Sequence, residues 1–230
     1  TTALHGAFLS PLRYAGVART DAENEALAQS EFTWIQATSL STNKDLWIPA
    51  QTVSRAFNEK SHPEPRIRPI ITTGLATGVN RTNALLGGLL ECNERDAFTI
   101  MWGNQLSLPG IASEDLAERS PSLATLIDRC TRYGLTVRFV RLITDAPAYV
   151  VMAVVTDSHS LPPITIGMSA HARAESAAEK ALLEALRARV NARHRLNRTK
   201  HMPEKQRIRG GDRSVFWADP THASHLSFLT

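Results

Sequence analysis

The sequence predicts an α+β fold in which long helices pack on largely antiparallel sheets. The first observation behind this prediction is that strand-like runs occur in groups that helical runs then cover, without the regular strand–helix alternation of a parallel sheet. The second is a continuous apolar run at 149–155, which is typical of a strand buried on both faces. With 230 residues, 43% of them hydrophobic, the chain is long enough to bury a full core.

The amino-terminal part of the chain contains a predicted strand pair. Residues 32–38 and 46–48 read as strands joined by a turn at Thr42-Asn43. The acidic stretch with Asp21, Glu23 and Glu25 has no apolar period and is predicted to be a loop.

Two long helices are predicted farther along. An apolar run after Asn80 predicts a helix over 80–98, with Asn80 or Thr82 near its N-cap. A second helix is expected over 174–192, where Ser176 to Glu179 fit a capping box.

Three further strands and a shorter helix complete the prediction. The helix at 121–133 is expected to end at Gly134, because glycine suits the left-handed position after a helix. The strands are 135–143, 148–156 and 164–168, the first two neighbours in a largely antiparallel sheet.

Composition excludes several classes of protein. No apolar run reaches the length that crosses a bilayer, so no membrane partner is expected. Cys92 and Cys130 are too few for a disulfide framework, which favours a reducing, cytoplasmic location. Neither a Rossmann nor a P-loop phosphate-binding motif occurs. We interpret Cys92 as a small hydrophobe on an amphipathic helix rather than a nucleophile.

The net charge of +4 is concentrated in the basic run from Arg187 to Arg209. Aromatic residues do not interleave the run, so nucleic-acid binding is not favoured. A solvated helix end leading into a loop, or an anion-attracting surface, remains open.

Three charged residues share one side of the predicted 80–98 helix. Glu91, Glu94 and Arg95 are spaced i, i+3 and i+4, which places them on the same face. Two carboxylates on one face can share a divalent cation, and a neighbouring guanidinium can bind the phosphate that this cation carries. An ordinary ion pair on a solvated helix face explains the same spacing.

Four motifs together resemble the signature of the YcaO family. A turn of the type S-x-G-x-A-x-G matches Thr72 to Gly78, and the helix that follows ends in Glu91-Cys92-Asn93-Glu94-Arg95-Asp96-Ala97. Upstream, Trp34 and the segment 39–50 resemble the family's strand pair. Downstream, 167–189 resembles its second signature helix, and 212–229 its late block. The resemblance covers residues 30–230, and the whole chain is expected to be one YcaO-like domain, 1–230, incomplete at both ends.

The resemblance implies a role for each matching residue. Glu91 and Glu94 match the family's magnesium-binding pair, and Arg95 matches an arginine that contacts the nucleotide. Glu184 matches the glutamate of the second signature helix, and Arg189 matches an arginine that reaches the phosphates, whereas Arg187 stands where glutamine is usual. Asn83 replaces a family glutamate, so that it offers magnesium a carbonyl oxygen without charge. The family's further carboxylate helix has no counterpart in residues 1–30.

The activity implied by the resemblance is ATP-dependent modification of peptide backbones. Members of the family use ATP and Mg²⁺ to phosphorylate an amide oxygen, which forms thiazoline or oxazoline rings in a ribosomally made precursor peptide. The implied partners are that peptide and a protein that binds its leader, and a homodimer is left open. A thioamide-forming enzyme with a TfuA-like partner, an amidine-forming enzyme and a non-catalytic scaffold that binds a peptide or protein are the alternatives.

Overall fold

A computed structural model describes residues 7–8, 20–54, 64–67, 71–198 and 216–229 of the chain. The chain divides into two compact units, Thr1–Leu75 and Ala76–Thr230. The part of the basic run beyond Arg198, and Asp212-Arg213 of the late block, lie outside the described residues.

The first unit is built around a three-stranded sheet. Strand β1 (Ala7–Phe8) pairs parallel with β3 (Asp45–Pro49), and β3 pairs antiparallel with β2 (Trp34–Thr38). The predicted strand pair is therefore confirmed. The turn between β2 and β3 is closed by the Asn43 N–H, which donates to Ser39 O at 2.8 Å, and Asn43 has a positive φ of 52°.

The prediction of a loop around Asp21 is wrong. Residues Asp21–Ala28 form helix α1, and Thr20 and Glu23 complete a capping box at its start. The Thr20 N–H donates to Glu23 Oε2 at 2.8 Å, while the Glu23 N–H donates to the Thr20 hydroxyl. The cap stabilises a helix that has little apolar periodicity of its own, which is why pattern alone missed it.

The second unit contains a four-stranded antiparallel sheet in the order β4-β5-β6-β7. Its strands are β4 (Gly110–Ile111), β5 (Thr136–Leu142), β6 (Tyr149–Thr156) and β7 (Ile164–His171). The expected strands at 135–143, 148–156 and 164–168 are confirmed, and β7 runs three residues longer than expected.

Helices cover both faces of this sheet, which explains the continuous apolar run of β6. The odd-numbered residues Val151, Ala153 and Val155 pack with residues of α3 (Ser113–Arg119), α4 (Pro121–Arg132) and α5 (Ala174–Arg198). The even-numbered residues Val150, Met152 and Val154 pack with α2 (Arg81–Gly103) and with a 3-10 helix, Pro220–Leu229. Alternating side chains thus supply two cores, and the predicted α+β class is confirmed.

Local signals placed some helix ends correctly, whereas α2 and α5 continue past the predicted ends at 98 and 192. Asn80 is the N-cap of α2, and its Oδ1 accepts the Asn83 N–H at 2.9 Å. Helix α4 ends at Arg132, and Gly134 follows with a φ of 71°. The capping box at Ser176 is wrong, because α5 already begins at Ala174 and the Glu179 carboxylate instead accepts the hydroxyls of Ser120 and Ser122. In the part of the chain that is described, no helix has both the length and the apolar character needed to cross a membrane.

Candidate functional site

The turn before α2 and the start of α2 depend on two glycines. The Leu75 N–H donates to Thr72 O at 2.9 Å, and Gly74 adopts a φ of 85° that a side chain would strain. Gly78 packs against the backbone of Asn83 and Ala84 in the first turn of α2, where a Cβ atom would overlap both residues. Glycine at position 78 therefore allows the turn before α2 to pack closely against the first turn of this helix.

On α2, Glu94 and Arg95 lie side by side with different exposure. The Glu94 side chain is 13% exposed and the Arg95 side chain 45% exposed, and Arg95 Nε lies 4.0 Å from Glu94 Oε1. The Glu94 carboxylate accepts a hydrogen bond from the backbone N–H of Ala170 in β7. Glu91 is half-buried one turn earlier on the same helix. The spacing thus brings the three residues to one side of α2, as the sequence predicted.

Glu184 reaches the same strand from α5. Its Oε2 accepts the Met168 N–H at 2.8 Å. Gly167 makes this contact attainable, since a Cβ atom at 167 would overlap Ala181 O and Ala185 N of α5. The N–H groups of Met168 and Ala170 bond to carboxylates, so they lie on the edge of β7 that does not face β6. Two carboxylates from different helices therefore lie along one strand edge.

The ionisation of Glu94 reflects this crowding. The pKa of Glu94 is raised to about 7, with burial as the largest cause and the negative charges of Glu184 and Glu91 acting in the same direction. Arg95 and the Ala170 N–H act in the opposite direction. Several carboxylates lie close together here with little solvent between them. Protonation of Glu94 or binding of a cation would therefore stabilise the site.

The donor set fits a magnesium ion that also binds phosphate. Among the described residues, no three His, Cys, Asp or Glu side chains are grouped closely enough to hold a metal by themselves. Mg²⁺ usually takes one or two carboxylates together with substrate phosphates and waters, so Glu94 with Glu184 or Glu91 provides a fitting protein contribution.

Asn83 does not belong to this group. Eight residues separate it from Glu91, which is about 12 Å along the axis of α2. It is exposed at the first turn, where its backbone N–H is used by the Asn80 cap.

Arg189 lies on a different side of α5 from Glu184. Five residues along a helix correspond to a rotation of about 140°. The Arg189 side chain is 6% exposed, pairs with Asp157 and donates to Pro162 O at 2.6 Å. The expected contact with phosphate is thus not supported, because the guanidinium is engaged with the loop between β6 and β7. Arg187, three residues after Glu184, is exposed on a face adjacent to it.

Sequence reasoning missed Asp157. Its carboxylate accepts N–H bonds from His159 and Ser160 at 2.8 and 3.0 Å, and the Ser160 hydroxyl donates to it at 2.7 Å. These bonds, with Ser160 and His159 the largest causes, lower the pKa of Asp157 to about 2. The sequence Asp157-Ser158-His159-Ser160 is typical of such a turn, but nothing in it identifies Arg189 as the partner.

Cys92 differs from its interpretation as a buried hydrophobe, because it is exposed. Burial of part of the side chain, followed by the charge of Glu91, raises the pKa of its thiol, which disfavours the reactive thiolate.

Comparison with known proteins places this chain in a family. The family model described as YcaO cyclodehydratase, ATP- and Mg²⁺-binding, matches residues 3–230. An uncharacterized protein of Methanothermobacter thermautotrophicus is 28% identical over 168 residues, which is 72% of this chain and 43% of the relative.

Solved structures share the fold at low sequence identity. A heterocyclase in complex with substrate and cofactor has a TM-score of 0.71 and 19% identity, over 88% of this chain and 25% of that protein. YcaO from Methanopyrus kandleri, bound with AMPPCP and Mg²⁺, has a TM-score of 0.63 and 24% identity, over 93% of this chain and 52% of that one. The chain therefore spans about half or less of the length of these relatives. Since the family model covers nearly the whole sequence, the chain belongs to the YcaO family, whose ligands are ATP and Mg²⁺.

Proposed function

We propose that this chain carries part of the active site of an ATP-dependent enzyme that activates backbone amides of a peptide and forms thiazoline or oxazoline rings. One observation carries the proposal. Glu94 and Glu184, from two different helices, lie at the edge of β7 that does not face β6, with Arg95 beside Glu94. In a family that binds ATP and Mg²⁺, this arrangement fits the phosphate end of a bound nucleotide.

Each residue has a distinct role in this proposal. Glu91 and Glu94 supply oxygen ligands to Mg²⁺, and Glu184 completes the negative pocket from α5. Arg95, the more exposed partner, donates to the phosphate oxygens through its planar guanidinium.

Asn83 and Arg189 act away from this pair. The family resemblance assigns Asn83 to the nucleotide site, and its distance of about 12 Å along α2 from Glu91 separates it from the metal-binding pair. Arg189 stabilises the fold by tying α5 to the loop that precedes β7.

The proposed reaction turns a poor leaving group into a good one. A Cys, Ser or Thr side chain of the peptide adds to the carbon of the preceding amide, and the amide oxygen takes the γ-phosphoryl group of ATP. The addition closes the ring, and the phosphoryl transfer releases ADP. The oxygen then leaves as inorganic phosphate while the ring nitrogen loses its proton, so a C=N bond forms and the peptide loses water in net terms. Bound Mg²⁺ supplies charge neutralisation for phosphoryl transfer. The chain's own side chains position the phosphates and exclude water around Glu94.

The proposed partners are a ribosomally made precursor peptide and a protein that binds its leader segment. A structural relative of this chain is a heterocyclase described in complex with substrate and cofactor, which supports a bound substrate at the same fold. A homodimer is compatible with the proposal.

The test uses the complete protein with Mg²⁺, ATP, the precursor peptide and its leader-binding partner. We expect phosphate release together with the loss of one water mass per modified residue. Glu91→Gln and Glu94→Gln are expected to slow both by orders of magnitude, because each removes charge from the metal site. Glu118→Gln, an exposed glutamate on α3, is the matched control and should retain full activity.

The product mass separates ring formation from thioamide formation, whereas an amidine shows the same loss of one water. Exchange of oxygen for sulfur would assign a thioamide-forming enzyme with a TfuA-like partner. Binding of ATP and peptide without turnover would assign a scaffold. Full activity of the Glu91→Gln, Glu94→Gln double variant would contradict the proposed site.

A further inference from the structure

An apolar cavity lies farther along the same edge of β7. Its volume is about 160 Å³, comparable with an apolar protein cavity of about 150 Å³ that accepts benzene. The cavity is half open and is lined by the end of α2, the middle of α5, the start of β7 and the segment that includes the 3-10 helix. Its walls are largely apolar and include Trp102, Trp217, Ile164, Ile166, Ala188 and Ala192.

The walls combine rigid aromatic rings with small residues. Trp102 packs edge-to-face on Trp217, with ring centroids 5.6 Å apart, and on Phe228 at 5.7 Å. On the opposite side, alanines at 188 and 192 lie one turn apart on α5. The space exists because α5 presents methyl groups where larger side chains would fill it.

One polar group interrupts the apolar lining. Thr165 lines the cavity and is only 9% exposed, and within the described part of the chain its hydroxyl has no hydrogen-bond partner. A buried hydroxyl without a partner is costly and uncommon in native proteins. A ligand that places one polar atom beside Thr165 and apolar atoms elsewhere would satisfy the site.

The cavity and the carboxylates share one strand. Thr165 is three residues from Met168 and five from Ala170, the residues that bond to Glu184 and Glu94. At about 3.3 Å per residue, the separation is roughly 10–17 Å along β7. In the described residues no strand pairs with this edge of β7, so an extended peptide can approach it between the cavity and the two carboxylates, which already bond to the N–H groups of Met168 and Ala170.

We propose that this cavity is a subsite for the substrate peptide and receives one apolar side chain, of the size of Leu, about four residues from the amide that is modified. The inference rests on the proposed function, because it assigns the peptide to the site of Glu94 and Glu184. The peptide backbone supplies the polar atom for the Thr165 hydroxyl, and its apolar side chain occupies the space between the tryptophans and the alanines.

The test measures direct binding, without ATP, to the complete protein. Gly- and Gln-rich peptides carry one Cys, with Leu placed about four residues before or after it, or with Ala in place of Leu. Fluorescence of Trp102 and Trp217 reports occupancy, and Trp217→Phe identifies the signal. Burying a Leu side chain predicts about 10- to 100-fold tighter binding of one Leu peptide than of its Ala counterpart.

A variant that fills the cavity tests whether the preference for the Leu peptide arises there. Ala188→Leu should remove the preference for the Leu peptide and leave MgATP binding unchanged. Asn191→Leu adds the same side chain at an exposed position of α5 and should keep the preference. Thr165→Val should fold, since it removes an unpaired hydroxyl, and should weaken peptide binding while preserving the preference for Leu.

Equal affinity for Leu and Ala peptides, or no binding of either Leu peptide, would overturn the subsite. A change in Trp217 fluorescence with AMP alone that Ala188→Leu abolishes would assign the cavity to the nucleotide and also overturn it. A Leu preference without any ATP-dependent modification would sustain the subsite and refute the proposed function. ATP-dependent modification with equal KM for the Leu and Ala peptides would refute the subsite and sustain the proposed function.

Discussion

At the scale of single residues, Glu94 is the most informative side chain. It is a buried acid close to two other acids, and its pKa of about 7 lies above the usual 4.5. The protonated form is therefore the one that the metal-free fold tolerates best. A bound cation would replace the proton, so ionisation and metal binding are coupled at this residue.

The first prediction concerns the pH dependence of stability. A raised folded pKa means that this contribution to stability is complete below pH 4.5 and is lost as pH rises through about 7. The gap corresponds to about 3 kcal/mol. Without metal, Glu94→Gln should therefore raise the free energy of unfolding by up to about 3 kcal/mol at pH 8 and by little at pH 4.5. Urea unfolding at both pH values measures the difference.

Glu118→Gln serves as the control, because Glu118 is exposed. It should change the free energy of unfolding little at either pH. If Glu94→Gln destabilised the metal-free protein at pH 8, the crowding of acids at β7 would be refuted.

The second prediction concerns Arg189 and Asp157. Asp157→Asn leaves a buried guanidinium without its counter-charge and should cost about 3–5 kcal/mol of stability. Asp128→Asn breaks an exposed pair with Arg132 and should cost less than about 1 kcal/mol. Thermal and urea unfolding of both variants check these values.

Arg189→Met keeps much of the side-chain volume and tests whether this arginine contacts phosphate. We expect lower stability with an unchanged Kd for MgATP at a temperature where the variant is folded. A large rise in that Kd, with stability retained, would instead support the phosphate contact that the family resemblance implies.

At the scale of elements, the contact between β7 and α5 positions the site. Gly167 allows the strand to approach α5 so closely that Glu184 bonds to the backbone of Met168. The same approach gives α5 its row of buried alanines, 177, 178, 181 and 185. Small residues on both surfaces are therefore part of the geometry of the site.

The third prediction tests this contact. Gly167→Ala should destabilise the protein by about 1–3 kcal/mol, because the added methyl group overlaps the backbone of α5. It should also weaken MgATP binding by displacing Glu184. Gly103→Ala, at the end of α2, meets no atom within 4 Å and should be neutral or slightly stabilising. Equal stabilities for the two variants would show that the approach is not tight.

At the scale of the whole molecule, α2 and α5 are far apart in sequence. In the folded second unit, both helices pack against the same strand, β7. Binding of MgATP across them should therefore stabilise that unit as a body. The linkage is one of mass action, since a ligand that binds only the folded state shifts the unfolding equilibrium.

The fourth prediction follows from this linkage. MgATP at about 100 times its Kd should add about 2.7 kcal/mol, which raises Tm by roughly 5–10 °C for a chain of this size. Glu94→Gln should reduce the rise, and ATP with EDTA should produce little of it. Differential scanning calorimetry of the complete protein measures the shift. An equal rise in EDTA would exclude a contribution of metal to binding.

Local signals in the sequence determined much of the fold. Asn80 predicted the start of α2, Gly134 the residue after α4, and the apolar run at 149–155 a strand covered on both faces. The spacing of Glu91, Glu94 and Arg95 determined that they share a helix face. These features depend on interactions within one turn or one strand. They can therefore be inferred from residues that are close together in the sequence.

Only the tertiary structure decided how distant residues meet. It brought Glu184 to the same strand edge as Glu94, and it paired Arg189 with Asp157 instead of leaving it beside Glu184. The Glu179 carboxylate was expected to be part of a capping box, but it accepts hydrogen bonds from the hydroxyls of Ser120 and Ser122 instead. The physical reason is that a side chain on a helix can serve any neighbour within reach, and the packing of α5 on β7 through Gly167 determines which neighbours those are.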